Sequence, residues 1–238
     1  MADEPRREWE RKSREYAGKY DQPDGIMDLE KDRRLQTALS LVEMPDSGWV
    51  LELGVGAGEL FDRLPDTAAK RVGADFSRGM LGVAEARTDG ATFTQATADR
   101  LPFADGSLSL VVCLGVFGHL ESDQLAATFA ELGRVLADDG QLVISYGNAR
   151  SPFRWIRSAY FDGRGISTSY ETLDPKAVER ALDEVGLAVT DRRYLTYSTG
   201  LLDTTANVAL YRLLDQWFGD SGRLGWLAMT HVVSCRRR

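Results

Sequence analysis

The chain has 238 residues, 43 % of them hydrophobic and 27 % charged, with 36 Asp+Glu against 29 Lys+Arg and a formal net charge of -7. That balance excludes a disordered chain, and the acidity argues against nucleic acid as the main partner. Two cysteines, Cys113 and Cys235, make no disulfide framework, and no run approaches the ~18 apolar residues of a membrane span.

The length suits one domain with its own core. The charged first residues contain no apolar stretch of the secretory kind, so a cytoplasmic protein is expected. Trp9, Ser13, Tyr16 and Tyr20 recur at spacings of three and four, which predicts a helix with an aromatic stripe. Pro23-Asp24-Gly25 breaks it. A second helix is predicted from Asp28 to Met44, with Leu35, Ala38, Leu39 and Val42 on one face.

Trp49 to Leu53 reads as a strand, followed by Gly54-Val55-Gly56-Ala57-Gly58, a short helix and a second strand, Arg71 to Asp75. Ser77 is placed to cap a helix over Arg78–Arg87. Ala91 to Ala96 forms a third strand. Leu108 to Leu114 is apolar and β-branched, the pattern of a central parallel strand buried on both faces. Ser122 is placed to cap a helix carrying Leu125, Phe129, Leu132 and Val135, and Asp139-Gly140 turns into a strand over Gln141–Tyr146. The stretch 147–170 is less regular. Asp174-Pro175 starts a helix and Gly186 stops it. Leu187–Tyr197 and Gly225–Ser234 read as late strands flanking a helix over 203–218. Strands alternating with helices imply an α/β domain with a mostly parallel sheet.

Two ligands compete for the glycine-rich turn. A dinucleotide fingerprint, G-x-G-x-x-G, needs its third glycine at position 59, where this chain has Glu59. A carboxylate there would repel a pyrophosphate. The pattern is instead Glu52-x-Gly54-x-Gly56-x-Gly58, and an acid ahead of the glycines suits a cationic ligand with a free amine.

Glu-Leu-Gly-Val-Gly-Ala-Gly at 52–58 resembles motif I of the class I S-adenosylmethionine-dependent methyltransferases. Gly73-Ala74-Asp75-Phe76-Ser77-Arg78-Gly79-Met80-Leu81 and Leu101-Pro102-Phe103-Ala104-Asp105-Gly106-Ser107 are similar to two further motifs of the ubiquinone-biosynthesis-like, type-11 subgroup. Together they cover about positions 48–146. The resemblance implies a Rossmann-like fold with a seven-stranded, mostly parallel sheet, an antiparallel last strand, and helices on both faces. A helical lid over 1–45 would precede a methyltransferase domain over 46–238, with substrate-side insertions near 147–172 and 200–222.

The same resemblance implies S-adenosylmethionine as cofactor; no metal site is expected. Gly54, Gly56 and Gly58 would bend around its methionine part, and Glu52 would help place the amino end. Capping of loop amides is the competing role for Glu52. Asp75 would accept the ribose hydroxyls, since a carboxylate offers acceptors and no donors. Phe76 and Met80 would flank the adenine, and Thr97, Ala98 and Leu114 complete the expected cofactor set. Thr97 stands where the family commonly has an Asp, and Ser109 stands where it often has another.

Methyl transfer from a sulfonium needs alignment more than acid–base help, although a hydroxyl acceptor needs a base. His119, expected at the carboxyl edge of the sheet, is the base candidate, with Tyr20 as a second catalytic candidate. Orientation of the following helix is the competing role for His119. Tyr16, Tyr146, Phe153, Tyr160 and Tyr170 are the aromatic candidates for acceptor contact, and Arg150, Arg154, Arg157 and Arg164 lie among them. Basic and aromatic groups together suit an acidic or aromatic small molecule, and also an amphipathic surface near lipid. The expected reaction is methylation of an oxygen or carbon of a small organic acceptor. The rivals are a non-catalytic S-adenosylmethionine-binding module and a nicotinamide-dependent oxidoreductase.

Overall fold

The computed structural model describes residues 26–162, 172–196 and 224–238, together with Ser13, Ala209, Leu213 and Gly222. Tyr16, Tyr20 and Tyr170, the helix expected over 203–218, and most of the expected lid lie outside the described residues.

The helices are α1 (Ile26–Leu41), α2 (Arg78–Arg87), α3 (Ser122–Val135), α4 (Pro152–Asp162) and α5 (Pro175–Glu184). The strands are β1 (Trp49–Leu53), β2 (Lys70–Asp75), β3 (Ala91–Gln95), β4 (Leu108–Cys113), β5 (Leu136–Gly147), β6 (Leu187–Leu195) and β7 (Thr230–Arg237). All seven strands join one sheet in the order β3-β2-β1-β4-β5-β7-β6. β1 pairs in parallel with β2 and β4, and β4 with β5. β7 runs antiparallel to both β5 and β6. The mostly parallel sheet with a reversed last strand is therefore present.

Side-chain alternation splits the core into two layers. Leu51, Leu53, Val111, Leu142 and Ile144 face Phe129, Leu132, Val178 and Leu182 of α3 and α5. Val50, Leu110, Val112 and Val143 face Leu35, Ala38 and Leu41 of α1 and Leu81 and Ala84 of α2. The chain leaving β1 thus packs on one face and the helix after β4 on the other. Between β1 and β4 the strand order reverses, and open α/β sheets bind ligands in the crevice beyond the carboxyl ends at such a point.

Buried Gln141 anchors the end of α1. Its Nε2 donates to Leu41 O (2.7 Å) and to Ser234 Oγ (2.8 Å), while Oε1 accepts from the Glu43 amide (2.8 Å). With its last turn pinned beside the middle of β5, α1 brings its earlier turns to the carboxyl edge. There Lys31 pairs with Glu59 of the glycine loop at 2.9 Å.

Several local expectations change. The helix after the glycine loop is a single 3-10 turn, Phe61–Arg63. Only six residues separate Gly58 from Pro65, and proline disfavours helix at the residue before it. The N-cap of α3 is Glu121, not Ser122, because Gln124 Oε1 accepts from the Glu121 amide at 3.0 Å. The stretch read as irregular contains α4. β7 starts at Thr230, five residues later than expected, because turn hydrogen bonds from Leu227 to Leu224 (2.8 Å) and Ala228 to Gly225 (3.2 Å) occupy the preceding backbone. The caps at Ser77 and Asp174 form as expected. No helix among the described residues is long and apolar enough to cross a membrane.

Candidate functional site

The glycine loop turns over the end of β2, where the Gly54 and Val55 amides both donate to Ala74 O (2.8 and 3.1 Å). Gly54 has φ +73° and Gly58 has φ +79°, conformations that L side chains rarely adopt. A Cβ on Gly54 would fall 2.3 Å from Val116 Cγ2, and one on Gly58 would fall 2.5 Å from Thr88 Oγ1. Glycine at these positions lets the loop lie close to both the turn after β4 and α2.

Asp75 closes β2 and is buried. Its Oδ2 accepts from the Gly56 amide (3.0 Å) and its Oδ1 from the Ser77 amide (2.9 Å). One carboxylate therefore ties the middle of the glycine loop to the cap of α2. A carboxylate has about four lone-pair directions, and these two amides take one on each oxygen.

Glu52 is 7 % exposed, and its Oε2 has no hydrogen-bond partner among the described residues. Burial pushes its carboxyl well above the ordinary 4.5; Glu59 and Asp75 push the same way, while Lys31 opposes them. An orphaned buried oxygen is costly, and a set of three acids is short of positive charge. A cation donating hydrogen bonds would satisfy both deficits. The donor set and the glycine cradle thus fit the amino end of S-adenosylmethionine.

Met80 is buried, and its Cε lies 3.7 Å from where a Gly56 Cβ would be, directly under the loop. Phe76 is half-buried, and its carbonyl accepts from Gln95 Nε2 (2.9 Å). Thr97 is exposed in a turn closed by the Arg100 amide (3.1 Å), while Ala98 is buried and Leu114 half-buried. Phe76, Thr97, Ala98 and Leu114 follow the ends of β2, β3 and β4, and Met80 lies in the first turn of α2.

His119 ends the 3-10 turn Phe117–His119 beyond β4 and is exposed. On α4, Phe153 and Tyr160 are half-buried. Arg157 of α4 reaches Glu30 of α1 at 3.2 Å, so α4 and α1 meet over this edge. Burial nonetheless raises the Glu30 carboxyl, outweighing Arg157.

Tyr146 departs from its expected role. It is 1 % exposed, with its hydroxyl 3.2 Å from His231 Nδ1. His231 Nε2 lies 3.2 Å from Gly225 O. A carbonyl only accepts, so Nε2 carries the hydrogen and Nδ1 accepts from the Tyr146 hydroxyl. Burial pushes His231 down to about 4, which keeps the ring neutral. Tyr146 is thus committed to a cross-strand core pair and presents no open face to an acceptor.

Two further residues explain the Leu101-Pro102-Phe103 segment. Arg134 donates to Phe103 O (2.8 Å) and Leu101 O (3.1 Å), and Glu131 accepts from the Leu101 amide (2.7 Å). The Arg134–Glu131 pair at 2.7 Å lowers the Glu131 carboxyl. Its i,i+3 spacing on α3 was the available sequence signal. Among the described residues, no group of three or more His, Cys, Asp or Glu is placed to hold a metal ion.

Residues 50–140 match the family model described as a methyltransferase domain. The chain is 28 % identical over 186 residues to a demethylmenaquinone methyltransferase of Beutenbergia cavernae, covering 73 % of this chain and 76 % of that protein. In structure it resembles the methyltransferase in a Haloferax volcanii complex with the activator Trm112, with TM-score 0.68, 20 % identity and coverage of 100 % and 97 %. It also resembles magnesium protoporphyrin IX methyltransferase from Synechocystis with bound SAH, with TM-score 0.64, 15 % identity and coverage of 89 % and 85 %. The fold and the glycine-loop site define a class I S-adenosylmethionine-dependent methyltransferase. The chain is similar to the ubiquinone/menaquinone-biosynthesis-like members of that class, and its methyl donor is S-adenosylmethionine.

Proposed function

We propose that this enzyme methylates an oxygen or carbon of a small organic acceptor in the cytoplasm, with α1 as part of a lid. The observation that carries the cofactor assignment is the buried, partnerless Glu52 oxygen beside the glycine loop. The name of the Beutenbergia relative makes a demethylated quinone the first acceptor to test. The net charge of -7 favours a small molecule over nucleic acid.

S-adenosylmethionine supplies an activated methyl group. The chain's own task is alignment. Glu52 accepts hydrogen bonds from the donor's ammonium, and the neighbouring acids favour the positive charge. Asp75 holds the Gly56 amide and accepts from the ribose hydroxyls. Phe76, Met80, Thr97, Ala98 and Leu114 surround the adenine side. His119, exposed at the carboxyl edge, takes the proton of a hydroxyl acceptor on its imidazole ring. Phe153 and Tyr160 on α4 pack against the acceptor ring.

Titration calorimetry with S-adenosylmethionine and with NAD(P), followed by labelled methyl transfer into reduced demethylated quinones and phenols, tests this reading. Binding of the first ligand only, with label in an organic product, is the expected result. Failure of S-adenosylmethionine to bind overturns it, and binding without turnover on any acceptor favours the non-catalytic module.

A further inference from the structure

We infer that the outward face of α4, with Trp226 beside it, seats this enzyme on a lipid surface. The inference adds a place of action to the proposed function, in which an apolar quinone is the first acceptor to test. Lipid binding is read without turnover, so the two fail separately.

α4 is turned inside out. Trp155 is 74 % exposed and Ile156 45 % exposed, and Ala159 is exposed with them. Ala159 follows Trp155 by four positions and Ile156 by three, so the three share one stripe of the helix. The arginines lie on the opposite side. Arg154 and Arg157 are half-buried; Arg157 pairs with Glu30 of α1 at 3.2 Å, and Glu30 feels the charge of Arg154 as well. A helix bathed in water shows the reverse arrangement, with its polar side outward.

Trp226, 61 % exposed, is tied to the same corner through the backbone. Asn148, buried directly after β5, donates from Nδ2 to Trp226 O (3.2 Å) and Ala228 O (2.8 Å), and its Oδ1 accepts from the Arg150 amide (2.9 Å). Ser151 Oγ donates to Leu227 O, and the Ser151 carbonyl accepts from the Trp155 amide (3.3 Å). The start of α4 and the turn carrying Trp226 therefore form one hydrogen-bonded unit, from which both tryptophans emerge. Among the described residues five large apolar side chains are exposed, and three of them, Trp155, Ile156 and Trp226, belong to this unit.

Size, composition and charge select lipid as the occupant. A stable protein partner covers about 20–30 residues a side, far more than these few side chains. A helix with Trp and Ile on one face and Arg on the other suits the plane between headgroups and acyl chains, where tryptophan is favoured. The stretch 148–162 carries Arg150, Arg154 and Arg157 against Asp162 alone, in a chain whose net charge is -7. Arg150 is exposed, and beyond the donor it gives to Asp174 (2.7 Å) its guanidinium keeps further N–H groups, which suit lipid phosphate. Phe153 and Tyr160, the proposed acceptor contacts, lie on the other side of the same helix, so an apolar acceptor leaving the lipid has one helix to pass.

Cosedimentation of the full chain with vesicles of phosphatidylcholine containing about one-third phosphatidylglycerol tests the assignment. The wild type is expected to bind, less at high salt, with its tryptophan emission shifted to the blue. Trp155→Gln and Trp226→Gln are each expected to lower the vesicle partition coefficient by about 10- to 150-fold, the range for one large apolar side chain kept out of an apolar medium. Trp49→Gln, at the exposed tryptophan that begins β1, is the control and is expected to bind as the wild type does. Thermal unfolding checks the fold of each variant, with Ile156→Gln as the replacement if either is damaged. No vesicle binding by the wild type, or equal binding by all variants, overturns the lipid role. So does an equal loss in Trp49→Gln, or self-association without vesicles that Trp155→Gln abolishes, which gives the face to a second copy of this chain. Failure of S-adenosylmethionine to bind instead overturns the proposed function and leaves the vesicle result standing.

Discussion

Glu52→Gln separates cofactor binding from stability, because the two should move in opposite directions. The side chain is 7 % exposed and one carboxylate oxygen has no partner, so ionisation in the empty protein is penalised. The folded carboxyl titrates well above its ordinary value of 4.5. Between that value and the raised one, the folded protein holds a proton that the unfolded chain has released. Wild-type stability is therefore full below the window and falls as pH rises through it, by about 1.4 kcal/mol for every tenfold difference in proton affinity between the folded and unfolded states. Glutamine keeps the shape and removes the charge. The unliganded variant is expected to be about 1–3 kcal/mol more stable above that window, and to lose the decline. Its affinity for S-adenosylhomocysteine is expected to fall by about 1.5–3 kcal/mol, because the ammonium loses an ionised acceptor. Urea denaturation across the pH window and calorimetry at its upper end give both numbers. A variant that is less stable when empty, yet binds as tightly as wild type, would refute this account of Glu52.

Three further outcomes are expected. Asp75→Ala removes the acceptor of the Gly56 and Ser77 amides together with the proposed ribose contact, so affinity for the cofactor should fall by about 1.5–3 kcal/mol; a folded variant with unchanged affinity by calorimetry removes the ribose assignment. Gly54→Ala forces a Cβ to within 2.3 Å of Val116 Cγ2 at φ +73°, and chemical denaturation should show a loss of about 1–3 kcal/mol. His119→Ala, at an exposed position, should leave unfolding unchanged while lowering kcat for a hydroxyl acceptor by about 10²- to 10⁴-fold; retained turnover at saturating acceptor removes it as the base.

The α/β fold and the cofactor edge were legible in the sequence because their signals are local. Glu52, the three glycines and Asp75 lie within 24 consecutive positions. Strand alternation and loop φ constraints place them with no information from elsewhere in the chain. The caps at Ser77 and Asp174 are local in the same sense. Two features were beyond such local signals. Tyr146 belonged to an aromatic run that read as pocket wall until antiparallel register set it opposite His231. Arg134 secures a motif about thirty positions away.

The sequence by itself determined the order of strands and helices, the glycine turn and the two acids beside it. Each depends on periodicity or backbone conformation over a few residues. The tertiary structure decided which buried groups are satisfied. Gln141 and Tyr146 find partners across the sheet, and Glu52 finds none for one oxygen among the described residues. Satisfaction depends on strand register and on which helix covers which face. The unsatisfied oxygen is what singles out Glu52 as the proposed ligand-binding acid.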